Sequence, residues 1–180
     1  MGGKSAGGKR KMITVRAAPS NPTRAFVSFD GVTVPAAIGR SGRTAFKREG
    51  DGATPIAAMK LLYGFVRGER VGALPTGLSL IRIKDDMLWC DAPTHAAYNR
   101  PVRAPFKASH ERMQRKDGLY DICLVLDWNI TSRRRHRGSA IFFHLIRPGY
   151  QPTEGCIAIS PTAMRRLIRF MRPGMVVRVI

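Results

Sequence analysis

The stretch FFHLIRPGYQPTEGCIAIS, residues 142–160, sets Cys156 directly after a Thr-Glu-Gly turn and twelve positions beyond His144. A thiol attacks only as its thiolate, so a nucleophilic cysteine needs a base or a depressed pKa. His95, His110 and His136 stand in polar, loop-like segments, whereas His144 stands in an apolar run that reads as a strand. Strand alternation puts Ala140, Phe142, His144 and Ile146 on one face, and a rigid strand fixes the orientation that base catalysis requires. The turn-rich RPGYQPTEG segment can fold Cys156 back onto that strand. Gly155 allows close backbone approach, and consecutive amides around Gly155 and Cys156 are placed to form an oxyanion hole. The competing reading is a satisfied core histidine beside an inert buried thiol, and spacing alone leaves both open.

These residues need a scaffold. At 180 residues with a hydrophobic share of 44%, the chain is sized for one domain with a real core. Short apolar runs with turn residues between them predict strands at MITVRA, RAFVSF, GVTVPAAIG, PIAAMKLLYGFV, LSLIRI, LYDICLVLDW, GSAIFFHLI, CIAIS and MVVRVI. Residues 39–55 read as a long surface loop, and 67–118 as an irregular span with LSLIRI its one clear strand. One helix is marked over 161–172. Ser160 N-caps it, Pro161 opens it, Met164, Leu167, Ile168 and Met171 form its apolar stripe, and Pro173-Gly174 stop it. Residues 1–11 read as a flexible basic tail, leaving 12–180 as a single domain.

The charge is extreme: 31 Lys and Arg against 12 Asp and Glu, a balance of +19. Such a field favours polyanionic or carboxylate-rich partners. A basic nucleic-acid-binding module is the rival class, motivated by KRK and RRRHR. Aromatic residues make up only 8% and no stacking-rich motif accompanies those runs, so no specific nucleic acid is expected. Three cysteines are too few for a disulfide scaffold, and whether Cys90 and Cys123 pair is unreadable. No metal-ligand spacing occurs and no cofactor is expected. No run of eighteen apolar residues exists, so no transmembrane helix is expected. The first sixteen residues carry charge and glycine without an apolar signal core, and the compartment stays open.

GSAIFFHLIRPGYQPTEGCIAIS resembles the signature of L,D-transpeptidases of the YkuD type, in which a His is followed by [Ser/Thr]-x-Gly-Cys. EGDGATP at 49–55 supports the match, and YNRPV, SHER and DGLYD resemble a compact proteobacterial branch of that family. The resemblance covers residue 24 to the C-terminus. It implies a mainly β catalytic domain, a small barrel or sandwich. Carried over by position, Cys156 corresponds to the nucleophile, His144 to its base, Thr153 to the Ser/Thr place and Gly155 to the oxyanion turn. Glu154 stands where most members have His, Ala158 where Asn or Arg is common, and Ala57 where Gly is frequent. The gap from His144 to the Cys motif is short.

The resemblance further implies acyl transfer on peptidoglycan stem peptides, in the periplasm or cell wall, by a monomer. Water in place of the acceptor amine makes a carboxypeptidase. The usual donor bond gives 3,3 cross-links; the branch looks able to give L-Ala–diaminopimelate (1,3) links. Because stem peptides carry carboxylates, Arg40, Arg100, Arg103 and Arg147 are candidates for holding them. Tyr98, Asn99, His110, Glu111 and Glu154 are candidates for shaping the pocket.

Overall fold

The computed structural model describes residues 12–180, so the tail predicted over 1–11 lies outside the described residues. Alternating burial dictates the main architecture. Ile13 and Val15 of β1 (Ile13–Ala18) and Ala25, Val27 and Phe29 of β2 (Asn21–Phe29) turn to the same interior, as period-two patterning requires. β3 (Val32–Ala37) follows as an antiparallel partner of β2. Two short strands, β4 (Arg43–Thr44) and β5 (Thr54–Pro55), pair in parallel and pin the ends of the 45–53 segment.

β6 (Ala58–Val66) leads through a single helical turn, α1 (Gly68–Val71), to β7 (Leu80–Arg82). β8 (Met87–Cys90), β9 (Arg100–Arg103) and β10 (His110–Arg112) form a separate antiparallel sheet in the order β10-β8-β9. β11 (Ile122–Leu126), β12 (Phe142–Leu145), β13 (Ile157–Ile159), α2 (Pro161–Ile168) and β14 (Val176–Val179) complete the chain. The large sheet runs β11-β12-β13-β3-β2-β1-β14-β6, and β6 pairs back onto β11, closing a barrel with β7 attached beside β6. Closure removes the free edges that an open sheet of this length would expose.

Two cores follow from the two faces of β11 and β12. Leu124 and Leu126 of β11 and Phe143 and Leu145 of β12 join the barrel interior with Met164, Leu167 and Ile168 of α2. Cys123, Val125 and Phe142 face outward, where Trp89 of the small sheet and Met113 just beyond it cover them. Truncating a fully buried side chain such as Phe143 to Ala costs about 3–5 kcal/mol. The second core matters most here, because His144 shares the outward face of Phe142.

Three expectations are corrected. The helix ends at Ile168 rather than residue 172, because bonds from the Phe170 amide to Leu167 and from the Met171 amide to Ile168 tighten the chain into turns; Met171 stays buried nevertheless. The 67–118 span holds the three-stranded small sheet, whose strands are too short to show periodicity amid Pro, Gly and charge. The 39–55 segment is no mere surface loop: Ile38, Lys47, Ala53 and Thr54 in and beside it are all buried.

Candidate active site

β12 and β13 are parallel neighbours, with Phe143 opposite Ile157 and His144 opposite Ala158. Cys156, the residue before β13, therefore sits beside Phe142, on the face that carries His144 two positions further along. Both side chains line one cavity of about 310 Å³. The sequence-predicted pair is thus brought together by a strand register that neither residue's local sequence specifies.

The sulfur is held from the β12 side. The Phe142 amide donates to Sγ at 3.4 Å, and the thiol donates to the Ala140 carbonyl at 3.2 Å. His144 Nδ1 lies 2.7 Å from the Leu145 carbonyl. A carbonyl can only accept, so Nδ1 carries the proton and Nε2 is left with its lone pair. Tyr120 meets the imidazole edge-on at 5.3 Å between centroids, and the Arg115 guanidinium lies 5.0 Å over the Tyr120 ring.

Electrostatics set the resting state. Burial disfavours the imidazolium and pushes His144 down to about 4; the Leu145 bond opposes this, while Arg115 and Arg147 add to it. Burial likewise pushes the Cys156 thiol up to about 12, opposed by the Phe142 amide and by Lys47 and Arg115, with Glu111 adding to the rise. Burial thus favours the neutral form of both the thiol and the imidazole.

The turn that delivers Cys156 is tied by hydroxyls. Thr153 Oγ1 donates to the Cys156 carbonyl at 2.7 Å and accepts from the Gly155 amide at 3.2 Å. Thr54 Oγ1, from EGDGATP, reaches the same carbonyl at 3.4 Å. Gly155 has φ 129, and a Cβ there would lie 2.8 Å from the Ala53 carbonyl oxygen, so only glycine fits. The Gly155 amide, expected to face an oxyanion, is thus engaged by the Thr153 hydroxyl.

The remaining candidates divide. Glu111, Arg147 and Glu154 line the cavity. Burial raises Glu111 above the ordinary carboxyl range; Arg115, 3.4 Å away, opposes the rise. Glu154 is mostly exposed and ion-paired with Arg40 at 2.8 Å, which places Arg40 on the outer rim. Tyr98 is buried with its hydroxyl bonded to Glu49, itself a cavity residue. Asn99 is fully buried behind the wall, bonded to Trp89, Trp128 and the Ala140 amide. His110 bonds its own loop at Ala108. Arg100 is exposed on β9, and Arg103 pairs with Asp86 beside a separate groove lined by Tyr63, Phe65 and Met113.

Sequence reasoning missed Lys47, Arg115 and Tyr120. Each stands in a stretch that supported the family resemblance or adjoins one, which was the available signal. Ala158, which replaces a larger polar residue of the family pattern, lies opposite His144 and leaves space beside the imidazole. All three cysteines are free and buried. Among the described residues, no group of three His, Cys, Asp or Glu side chains could hold a metal, and no helix is long and apolar enough to cross a membrane.

Comparison with curated protein sequences gives no match. Among solved structures, the chain is similar to L,D-transpeptidase 1 of Mycobacterium tuberculosis, with 15% identity over 94% of this chain and 62% of that one, at a TM-score of 0.41. It is also similar to an L,D-transpeptidase of Mycobacterium smegmatis (14% identity, 94% of this chain, 59% of that chain, TM-score 0.42). A third is L,D-transpeptidase 3 of Mycobacterium tuberculosis (16% identity, 94% and 61%, TM-score 0.43). The chain spans about three-fifths of the length of these proteins. The family profile for the YkuD L,D-transpeptidase catalytic domain matches residues 21–179, nearly the whole barrel and both walls of the cavity. By that match the chain belongs to the L,D-transpeptidase catalytic domain family.

Proposed function

We propose that the protein is a cysteine-dependent peptidoglycan L,D-transpeptidase. The observation that carries this reading is the placement of Cys156 and His144 on one face of adjacent parallel strands, opening into a single cavity. The Cys156 sulfur attacks the carbonyl of an L-residue followed by a D-residue, and its proton passes to His144 Nε2. The tetrahedral oxyanion faces the Cys156 amide. His144 returns the proton to the departing amine, leaving a thioester on Cys156. The side-chain amine of diaminopimelate on a neighbouring stem then attacks the thioester, the new amide forms and the thiol is regenerated. Cationic Arg115 and Arg147 on the cavity wall suit stem-peptide carboxylates. The substrate places the site of action in the periplasm or cell wall.

Purified protein incubated with sacculi, followed by muropeptide mass spectrometry, tests the reading. New dimers are expected, of the 3,3 or the L-Ala–diaminopimelate type. Trimmed stems without dimers would make the enzyme an L,D-carboxypeptidase, and unchanged muropeptides would end the proposal. A carbapenem should add its mass to the wild-type protein and not to Cys156→Ala. An adduct that persisted in that variant would remove Cys156 from its role.

A further inference from the structure

Among the described residues, Lys47 is the one buried lysine, and the chain has made room for it at two glycines. Its side chain is 3% exposed and ion-paired with Asp51. A Cβ at Gly138, which has φ 86, would come within 2.9 Å of the Lys47 Cγ and Cε. A Cβ at Gly155 would lie 3.3 Å from Lys47 Nζ. The stem thus threads past one glycine, and the ammonium ends against the turn that presents Cys156. It lines the Cys156 cavity there and reaches a second, open cavity bordered by Trp128, Asn129 and Arg137.

Holding a lysine in such a place costs desolvation energy, which the Asp51 carboxylate offsets. Asp51 is in turn fixed by the amides of Arg48 and Ala53. Burial pushes its carboxyl up, but the Lys47 bond and these two amides outweigh burial and hold it below the ordinary range. A staple for the 47–51 segment would need only that pair. It would not need the ammonium to point at Gly155, away from solvent and toward the site.

We propose that Lys47 is the electrostatic partner of the Cys156 sulfur, stabilising the anion that forms when the thiol loses its proton, and that Asp51 tempers this charge. The inference rests on Cys156 being the nucleophile and adds to it the source of the stabilising field. A nearby cation favours the thiolate, and a nearby carboxylate disfavours it. The two members of the pair therefore act on the sulfur with opposite sign.

Alkylation of Cys156 by iodoacetamide, a neutral probe, measures this directly as a rate against pH by intact mass. Lys47→Met should react about three-fold more slowly than wild type at each pH, combining a shift of about one unit in thiol pKa with the partly compensating rise in nucleophilicity. Asp51→Asn should react about three-fold faster. Rates that fall in both variants, or that move in neither, would overturn the inference and leave Cys156 as the reactive thiol. Should Lys47→Met fail to fold, Asp51→Asn decides alone, and a rate equal to or below wild type counts against it. Alkylation that proceeds unchanged in Cys156→Ala would sink both this inference and the assignment of the nucleophile.

Discussion

The side-chain oxygen of Asn99 accepts from the amide of Ala140 at 3.0 Å, and Ala140 sits at φ 50, in the left-handed region that non-glycine residues rarely adopt. The carbonyl of that same Ala140 receives the Cys156 thiol proton. Asn99 itself, also at positive φ, is clamped by Trp89 and by the Trp128 carbonyl. A fully buried amide behind the cavity wall therefore sets the direction in which the thiol points.

Asn99→Ala should accordingly damage chemistry as well as folding. It leaves the Trp89 indole N–H and the Ala140 amide without their acceptor, at a cost of roughly 1–3 kcal/mol per group. Ala140 can then relax out of its strained conformation. We expect carbapenem acylation of Cys156 to fall by about ten-fold or more, measured by intact mass, with a lowered Tm. A variant destabilised but acylated at the wild-type rate would show that Asn99 only packs.

Thr153 tests the turn. Thr153→Val removes the bonds to the Cys156 carbonyl and the Gly155 amide while keeping volume. Acylation should slow about ten-fold, at roughly 3 kcal/mol or less of lost stability. Thr153→Ser should retain most of the rate, since only the hydroxyl is required. Equal rates in the valine and serine variants would refute the role of the hydroxyl.

Gly155→Ala has a steeper expectation. The residue would have to hold φ 129 while its Cβ stood 2.8 Å from the Ala53 oxygen. The cost should be at least about 2 kcal/mol, and the turn presenting the thiol would shift. Denaturant unfolding reads the first effect and carbapenem labelling the second.

His144 gives a pH prediction with a definite sign. Its folded value, about 4, lies below the ordinary 6.5, so the unfolded chain binds the proton first as pH falls. Its contribution is complete above pH 6.5 and is lost between there and about pH 4, on the order of 3 kcal/mol. His144→Gln should flatten that acid limb in urea titrations monitored across the range. An acid limb of the same slope in both proteins would contradict the buried, neutral imidazole. Cys156 acts at the other end: its raised value stabilises the fold fully below pH 9 and progressively less toward pH 12.

The barrel strands were legible in the sequence because their signals are local; Cys156 and His144 were legible as candidates, whereas the parallel register that sets them side by side was not. Alternating residues mark β1 and β2, an unbroken apolar run marks β11, and a Gly-Cys turn beside a strand-borne histidine is a pattern of a few residues. The three strands at 87–112 were not legible, because runs of three or four residues cannot display a period. Nor was the helix stop at Ile168, since the apolar stripe continues through Met171 after the hydrogen-bonding has changed.

The chain's own residue order determined which thiols and imidazoles are available, where the strands run and how strongly cationic the molecule is. Only tertiary structure decided which charges meet the sulfur. Lys47 and Asn99 lie 109 and 57 positions from Cys156, and their approach depends on closing the barrel and laying the small sheet against its outer face. Electrostatic and hydrogen-bond effects fall off with distance in space rather than in sequence, so no local pattern could carry them.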